Sequence, residues 1–93
     1  MNVKHVRGEK SGDVTLYALS TCGWCKKTKK LLDDLGVEYD YVYVDLLEGQ
    51  DKSEAMGVLK HHNPQRSFPT LVINNKKCII GFKEDDIKKA LGK

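Results

Sequence analysis

Along the first third of the chain, apolar positions fall into a period of two. Over residues 13–19, Val14, Leu16 and Ala18 share one face and Thr15, Tyr17 and Leu19 the other, and both faces are apolar enough to predict a central buried strand. The period then lengthens. From Trp24 to Leu35 the spacing of Thr28, Leu31, Leu32 and Leu35 is helical, and Gly36 supplies a stop. Residues 37–45, dense in β-branched and aromatic side chains, return to alternation and predict a second strand. The helix between them makes a right-handed parallel crossover the expected connection. Ala55, Met56 and Leu59 mark a weaker helix over about residues 50–60, and His61, His62, Asn63 and Pro64 read as a loop. Residues 70–73 and 77–80 predict a hairpin turning at Asn74 and Asn75, which tolerate positive φ. A last helix over 84–91 turns Ile87, Ala90 and Leu91 inward. Residues 1–12 carry little apolar content and are expected to be a flexible lead-in to a single domain over 13–93. The order β-α-β-α-β-β-α predicts an α/β fold with a four-stranded mixed sheet flanked by three helices.

Composition narrows the possible partners. With 93 residues there is room for one core only. Sixteen basic against 13 acidic residues leave a net charge of +3, too little for the broad basic face of a nucleic-acid binder. No apolar run approaches a membrane span, and residues 1–12 lack the apolar core of a signal sequence. Three cysteines, two of them in one C-x-x-C pair, do not form the dispersed framework of a secreted disulfide scaffold. A soluble, cytoplasmic, monomeric protein is therefore expected, with no nucleic-acid or membrane partner.

The chemistry concentrates at Cys22-Gly23-Trp24-Cys25, between the first strand and the first helix. Two thiols at this spacing can open and close a disulfide. With Thr21 or Cys22 at the helix cap, the unpaired backbone N–H groups and the positive helix end favour a Cys22 thiolate. Cys22 is thus the expected nucleophile. Cys25, one turn further, can reach back to resolve a mixed disulfide at Cys22. The competing reading of C-x-x-C is half of a zinc site completed by Cys78 and by His61 or His62, but adjacent histidines do not match the usual ligand spacing. Cys78 reads instead as a small buried hydrophobe beside Ile79 and Ile80.

Other side chains admit a functional and a plain reading. Trp24 is a candidate contact platform for partner proteins or a shield over the disulfide. Lys26 and Lys27 are close enough to lower the Cys22 pKa or attract an acidic partner. The plain reading of Lys26, Lys27, Lys29 and Lys30 is a solvated face partly paired with Asp33 and Asp34. Arg66 is read as a partner for a substrate carboxylate or as solvated. Asp85 and Asp86 are expected to cap the last helix.

Three spaced elements, Thr21-Cys22-Gly23-Trp24-Cys25, Phe68-Pro69-Thr70 and Gly81-Phe82-Lys83-Glu84-Asp85-Asp86, make the chain resemble the thioredoxin superfamily. The likeness is to its glutaredoxin-like branch, close to the small hydrogen donors of ribonucleotide reductase. The resemblance implies a thioredoxin-like fold, a cis bond before Pro69, and a free Phe68 backbone that pairs with an extended substrate. It implies substrate contacts at Trp24, Phe68, Pro69, Thr70, Gly81 and Phe82. It also implies protein disulfides as substrates, ribonucleotide reductase among the possible ones, and no cofactor beyond a redox-active Cys22–Cys25 disulfide. An external reductant is then required, either thioredoxin reductase or glutathione.

Departures from the glutathione-using members mark the subclass. Leu19 stands where they usually carry a lysine, Gly23-Trp24 where they carry Pro-Tyr, and Gly81-Phe82 where they carry Gly-Gly. The expected activity is reduction of protein disulfides by a dithiol mechanism. The alternatives are a glutathione-dependent glutaredoxin with deglutathionylation activity and, from another class, a metal-binding or iron–sulfur carrier module, against which the second cysteine counts.

Overall fold

The computed structural model describes residues 3–65 and 67–93; Met1, Asn2 and Arg66, with the carboxylate-binding role expected of Arg66, lie outside the described residues. Its elements are β1 (Lys4–Val6), β2 (Val14–Ala18), α1 (Gly23–Leu35), β3 (Tyr39–Tyr43), α2 (Gly49–His62), β4 (Thr70–Ile73), β5 (Lys77–Ile80) and α3 (Glu84–Ala90), with one 3-10 turn at Val44–Leu46. The strands form one mixed sheet in the order β1-β3-β2-β4-β5. β2 and β3 run parallel, joined by α1, and the other three pairings are antiparallel.

Alternation along the strands divides the core between the two faces of the sheet. Val14, Leu16, Leu71 and Ile73 meet Leu32 of α1 and Ile87 of α3 on one face. Tyr17, Val42 and Val72 meet Ala55 and Leu59 of α2 on the other. Because β2 and β4 are covered on both faces, their residues read as nearly continuous apolar runs.

The sheet has five strands where the sequence pattern predicts four, so the flexible lead-in expected over 1–12 is corrected for Lys4–Val6. This strand lies antiparallel on β3, pairing Lys4 with Tyr41 and Val6 with Tyr39. The Glu9 N–H donates to Gly36 O at 2.7 Å, and the Glu38 N–H returns to Glu9 O at 2.8 Å. Gly8 permits this approach: a Cβ there would stand 2.6 Å from Gly36 O. Backbone pairing of polar residues at a sheet edge leaves almost no hydrophobic pattern to detect.

The hairpin β4–β5 has the predicted bounds, and Asn74 and Asn75 hold φ of 54° and 56°. α2 runs two residues beyond the prediction, so His61 and His62 lie in its last turn rather than in a loop. The His62 imidazole reaches Asn75 Oδ1 at 3.0 Å.

Candidate functional site

The junction from β2 to α1 sets out the first part of the site. Strand β2 ends at Ala18, and a turn closed by the Cys22 N–H on Leu19 O at 3.2 Å brings the chain to Cys22, the helix cap. The Cys22 sulfur accepts the Cys25 N–H at 3.1 Å, satisfying a donor that the first turn leaves unpaired. The Cys22 carbonyl starts the helix by accepting the Lys26 N–H at 3.1 Å. In the next turn the Thr28 hydroxyl donates to Trp24 O at 2.9 Å.

The two thiols differ in environment. Both are free; Cys22 is half-buried, whereas Cys25 is 2% exposed. Burial pushes the Cys25 thiol up to about 12, helped by its hydrogen bond to Cys22 and by the charges of Cys22 and Asp45, while the Leu19 backbone pulls it down.

The loop between α2 and β4 supplies the opposing wall. The Phe68–Pro69 bond is cis, and the Pro69 carbonyl accepts the Gly81 N–H at 2.8 Å. Buried Asn63 clasps this loop. Its Nδ2 donates to Ser67 O at 3.2 Å, Ser67 Oγ at 3.1 Å and Thr70 Oγ1 at 3.1 Å. Its Oδ1 accepts the Gln65 N–H at 3.2 Å. The Thr70 hydroxyl donates to Ser67 O at 2.7 Å, and Thr70 is 0% exposed. Thr70 therefore holds the loop from within rather than facing a substrate.

Trp24, Phe68, Pro69, Gly81 and Phe82 line an open groove of about 260 Å³. Five of the six residues expected to contact substrate meet there. Trp24, 58% exposed, stacks on Phe82 with ring centroids 5.9 Å apart. The Lys27 ammonium lies 4.5 Å from the Trp24 ring centroid, over the indole, and Lys26 is exposed. Lys29 and Lys30 pair with Asp33 and Asp34 at 3.2 and 3.1 Å, as their i, i+4 spacing predicts.

Two expectations change. The cap of α3 is Lys83, with no side-chain cap bond, and Asp85 and Asp86 fall instead in the first turn. There their charges face the positive helix end without acting as the cap residue. Cys78 is half-buried on β5, its thiol raised by burial. Among the described residues, no three or more His, Cys, Asp or Glu side chains gather where they could hold a metal ion.

Sequence reasoning passed over Asp45, in the 3-10 turn that follows β3. Its carboxylate accepts the Ser20 N–H at 2.9 Å and the Ser20 hydroxyl at 2.5 Å, and the Ser20 hydroxyl holds it below the usual carboxylate range, ahead of the backbone bond. Parallel pairing of Ala18 with Tyr43 brings the two loops side by side, a contact that no local pattern reports.

Three comparisons bear on this geometry. The family model described as Glutaredoxin matches residues 14–79. A crystal structure of the glutaredoxin from Methanosarcina mazei Go1 is 55% identical and superposes with a TM-score of 0.93, covering 100% of this chain and 90% of that one. Methanoredoxin from Methanosarcina acetivorans is also 55% identical, with a TM-score of 0.90 over 92% of this chain and 90% of its own. An uncharacterized glutaredoxin-like 8.6 kDa protein in the rubredoxin operon of Clostridium pasteurianum is 31% identical over 86% of this chain and 99% of its own length.

Proposed function

Since this chain belongs to the glutaredoxin family and is a glutaredoxin-like thiol oxidoreductase, we propose that it reduces disulfides in partner proteins, with Cys22 attacking and Cys25 resolving. The observation that carries this reading is the asymmetry of the pair. Cys22 is the half-buried sulfur at the helix cap, and Cys25 is enclosed, with its ionisation pushed up to about 12. The Cys22 thiolate attacks one sulfur of the partner disulfide, forming a mixed disulfide and releasing the other partner sulfur as a thiolate. Cys25 then loses its proton and attacks the Cys22 sulfur, which releases the second partner thiolate and leaves a Cys22–Cys25 bond. Two electrons pass from the dithiol to the partner.

The groove that Trp24 of the C-x-x-C segment shares with Phe68, Pro69, Gly81 and Phe82 receives the partner segment. Trp24 and Phe82 offer aromatic contact area, and the Phe68 backbone pairs with an extended chain. Leu19, where a lysine would meet a glutathione carboxylate, offers no charge. Recycling by thioredoxin reductase with NADPH is accordingly expected to outpace recycling by glutathione with glutathione reductase. Faster turnover with glutathione overturns that part of the reading.

The mechanism is tested by two variants in a disulfide-reduction assay. Cys22→Ser reduces the rate to background, and Cys25→Ser accumulates a covalent mixed disulfide that mass spectrometry detects. A Cys22→Ser protein that still turns over removes the proposal.

A further inference from the structure

Asp45 touches the thiol pair through one peptide group. The Leu19–Ser20 peptide presents its N–H to Asp45 Oδ1 at 2.9 Å and its carbonyl to the Cys22 N–H at 3.2 Å. Asp45 Oδ2 also accepts the Ser20 hydroxyl at 2.5 Å, so both carboxylate oxygens hold one residue of the turn that ends on Cys22. The Leu19 backbone, on the other side of that turn, bonds to Cys25. A charged acceptor on a peptide N–H polarises the group and strengthens its carbonyl as an acceptor. The tie joins residues 25 apart in sequence.

We infer that Asp45 is a positioning residue for thiol exchange: by clamping Ser20 it fixes the turn that aligns Cys22 with Cys25 for the resolving step. This inference rests on the reading of Cys22 and Cys25 as the exchanging pair. Attack on a disulfide requires the incoming sulfur to be aligned with the bond it breaks, so loosening the turn slows resolution more than the first attack. The carboxylate also brings a negative charge that opposes ionisation of Cys25. The two contributions act in opposite directions, which makes them separable by substitution.

The test uses the full chain in a Cys78→Ser background, so that only the pair reacts, with 5,5′-dithiobis(2-nitrobenzoate) as the probe disulfide. Attack by Cys22 releases a first thionitrobenzoate and leaves the second bound in a mixed disulfide. Attack by Cys25 on the Cys22 sulfur releases the second, so two phases report the two steps. Asp45→Ala, which loses both the acceptor and the charge, slows the second phase on the order of tenfold while the first is nearly unchanged. Asp45→Asn keeps an acceptor for the Ser20 N–H and places an amide donor where Oδ2 accepted the Ser20 hydroxyl, so the turn stays tied while the charge is lost, and its second phase at pH 7 is at least as fast as that of the parent. Melting temperatures taken on the same samples separate a loosened turn from a loss of folded protein. A second phase at parental rate in Asp45→Ala overturns the inference, and so does an equal slowing in Asp45→Asn. Failure of the underlying pair reading looks different: a second release from a Cys25→Ser protein shows that Cys25 does not resolve, whatever Asp45 does.

Discussion

Enclosing the Cys25 thiol ties the stability of the reduced protein to pH. Its folded-state value, pushed up to about 12 from 9.0 chiefly by burial, means that the native state keeps a proton that the unfolded chain gives up sooner. The stabilising contribution is therefore complete below about pH 9 and is lost as the pH climbs from there through about 12. Urea unfolding of the reduced protein shows a falling midpoint over that window. The oxidised protein, whose Cys25 has no proton to lose, lacks this component of the fall. Cys22 and Cys25 were legible in the sequence because thiol spacing is itself a chemical signal. Asp45 was not, because an exposed acid after a strand resembles any solvated carboxylate until β2 and β3 are laid side by side.

At the scale of elements, the loop carrying Phe68 and Pro69 depends on a polar clasp rather than on apolar packing. Asn63 makes three donor contacts and accepts one, all to residues 65–70. Asn63→Ala leaves buried acceptors unmatched and is expected to cost about 2–3 kcal/mol in urea unfolding. It also lowers the rate with a protein disulfide, because the groove wall that carries Phe68 and Pro69 loosens. The elements themselves were readable to different degrees. The hairpin at Thr70–Ile73 and Lys77–Ile80 announced its bounds through apolar strands and two asparagines suited to left-handed backbone. Lys4–Val6 did not, since Val6 is its single side chain packed against the core, and its pairing with β3 rests on main-chain bonds and on the His5 imidazole against Asp40 Oδ1 at 2.6 Å, none of which an apolar pattern reports. His61 and His62 continue α2 because the His62 ring finds Asn75 on the β4–β5 turn, a long-range contact outside any helical pattern.

For the molecule as a whole, one sheet serves two cores. β2 and β4 contribute alternate residues to both faces, so neither core can dissolve without exposing strands that the other needs. A single cooperative unfolding transition follows. Leu32 from α1 and Leu59 from α2 are both 0% exposed, on opposite faces of the sheet. Leu32→Ala and Leu59→Ala are each expected to cost about 2–5 kcal/mol. The double variant, read by the same urea titration, shows a near-additive loss within one transition, because the two side chains lie in separate core clusters on opposite faces of the sheet.

The indole resting between the two cysteines in sequence is the only tryptophan of the chain. Stacked on Phe82, beneath the Lys27 ammonium and still mostly open to water, it gives the molecule a native optical label in the groove proposed to receive a partner. Its emission is expected to change when the neighbouring sulfurs join, and to move toward shorter wavelengths when a partner covers the ring. Oxidation state and encounter can thus be followed in one cuvette, without attaching a dye.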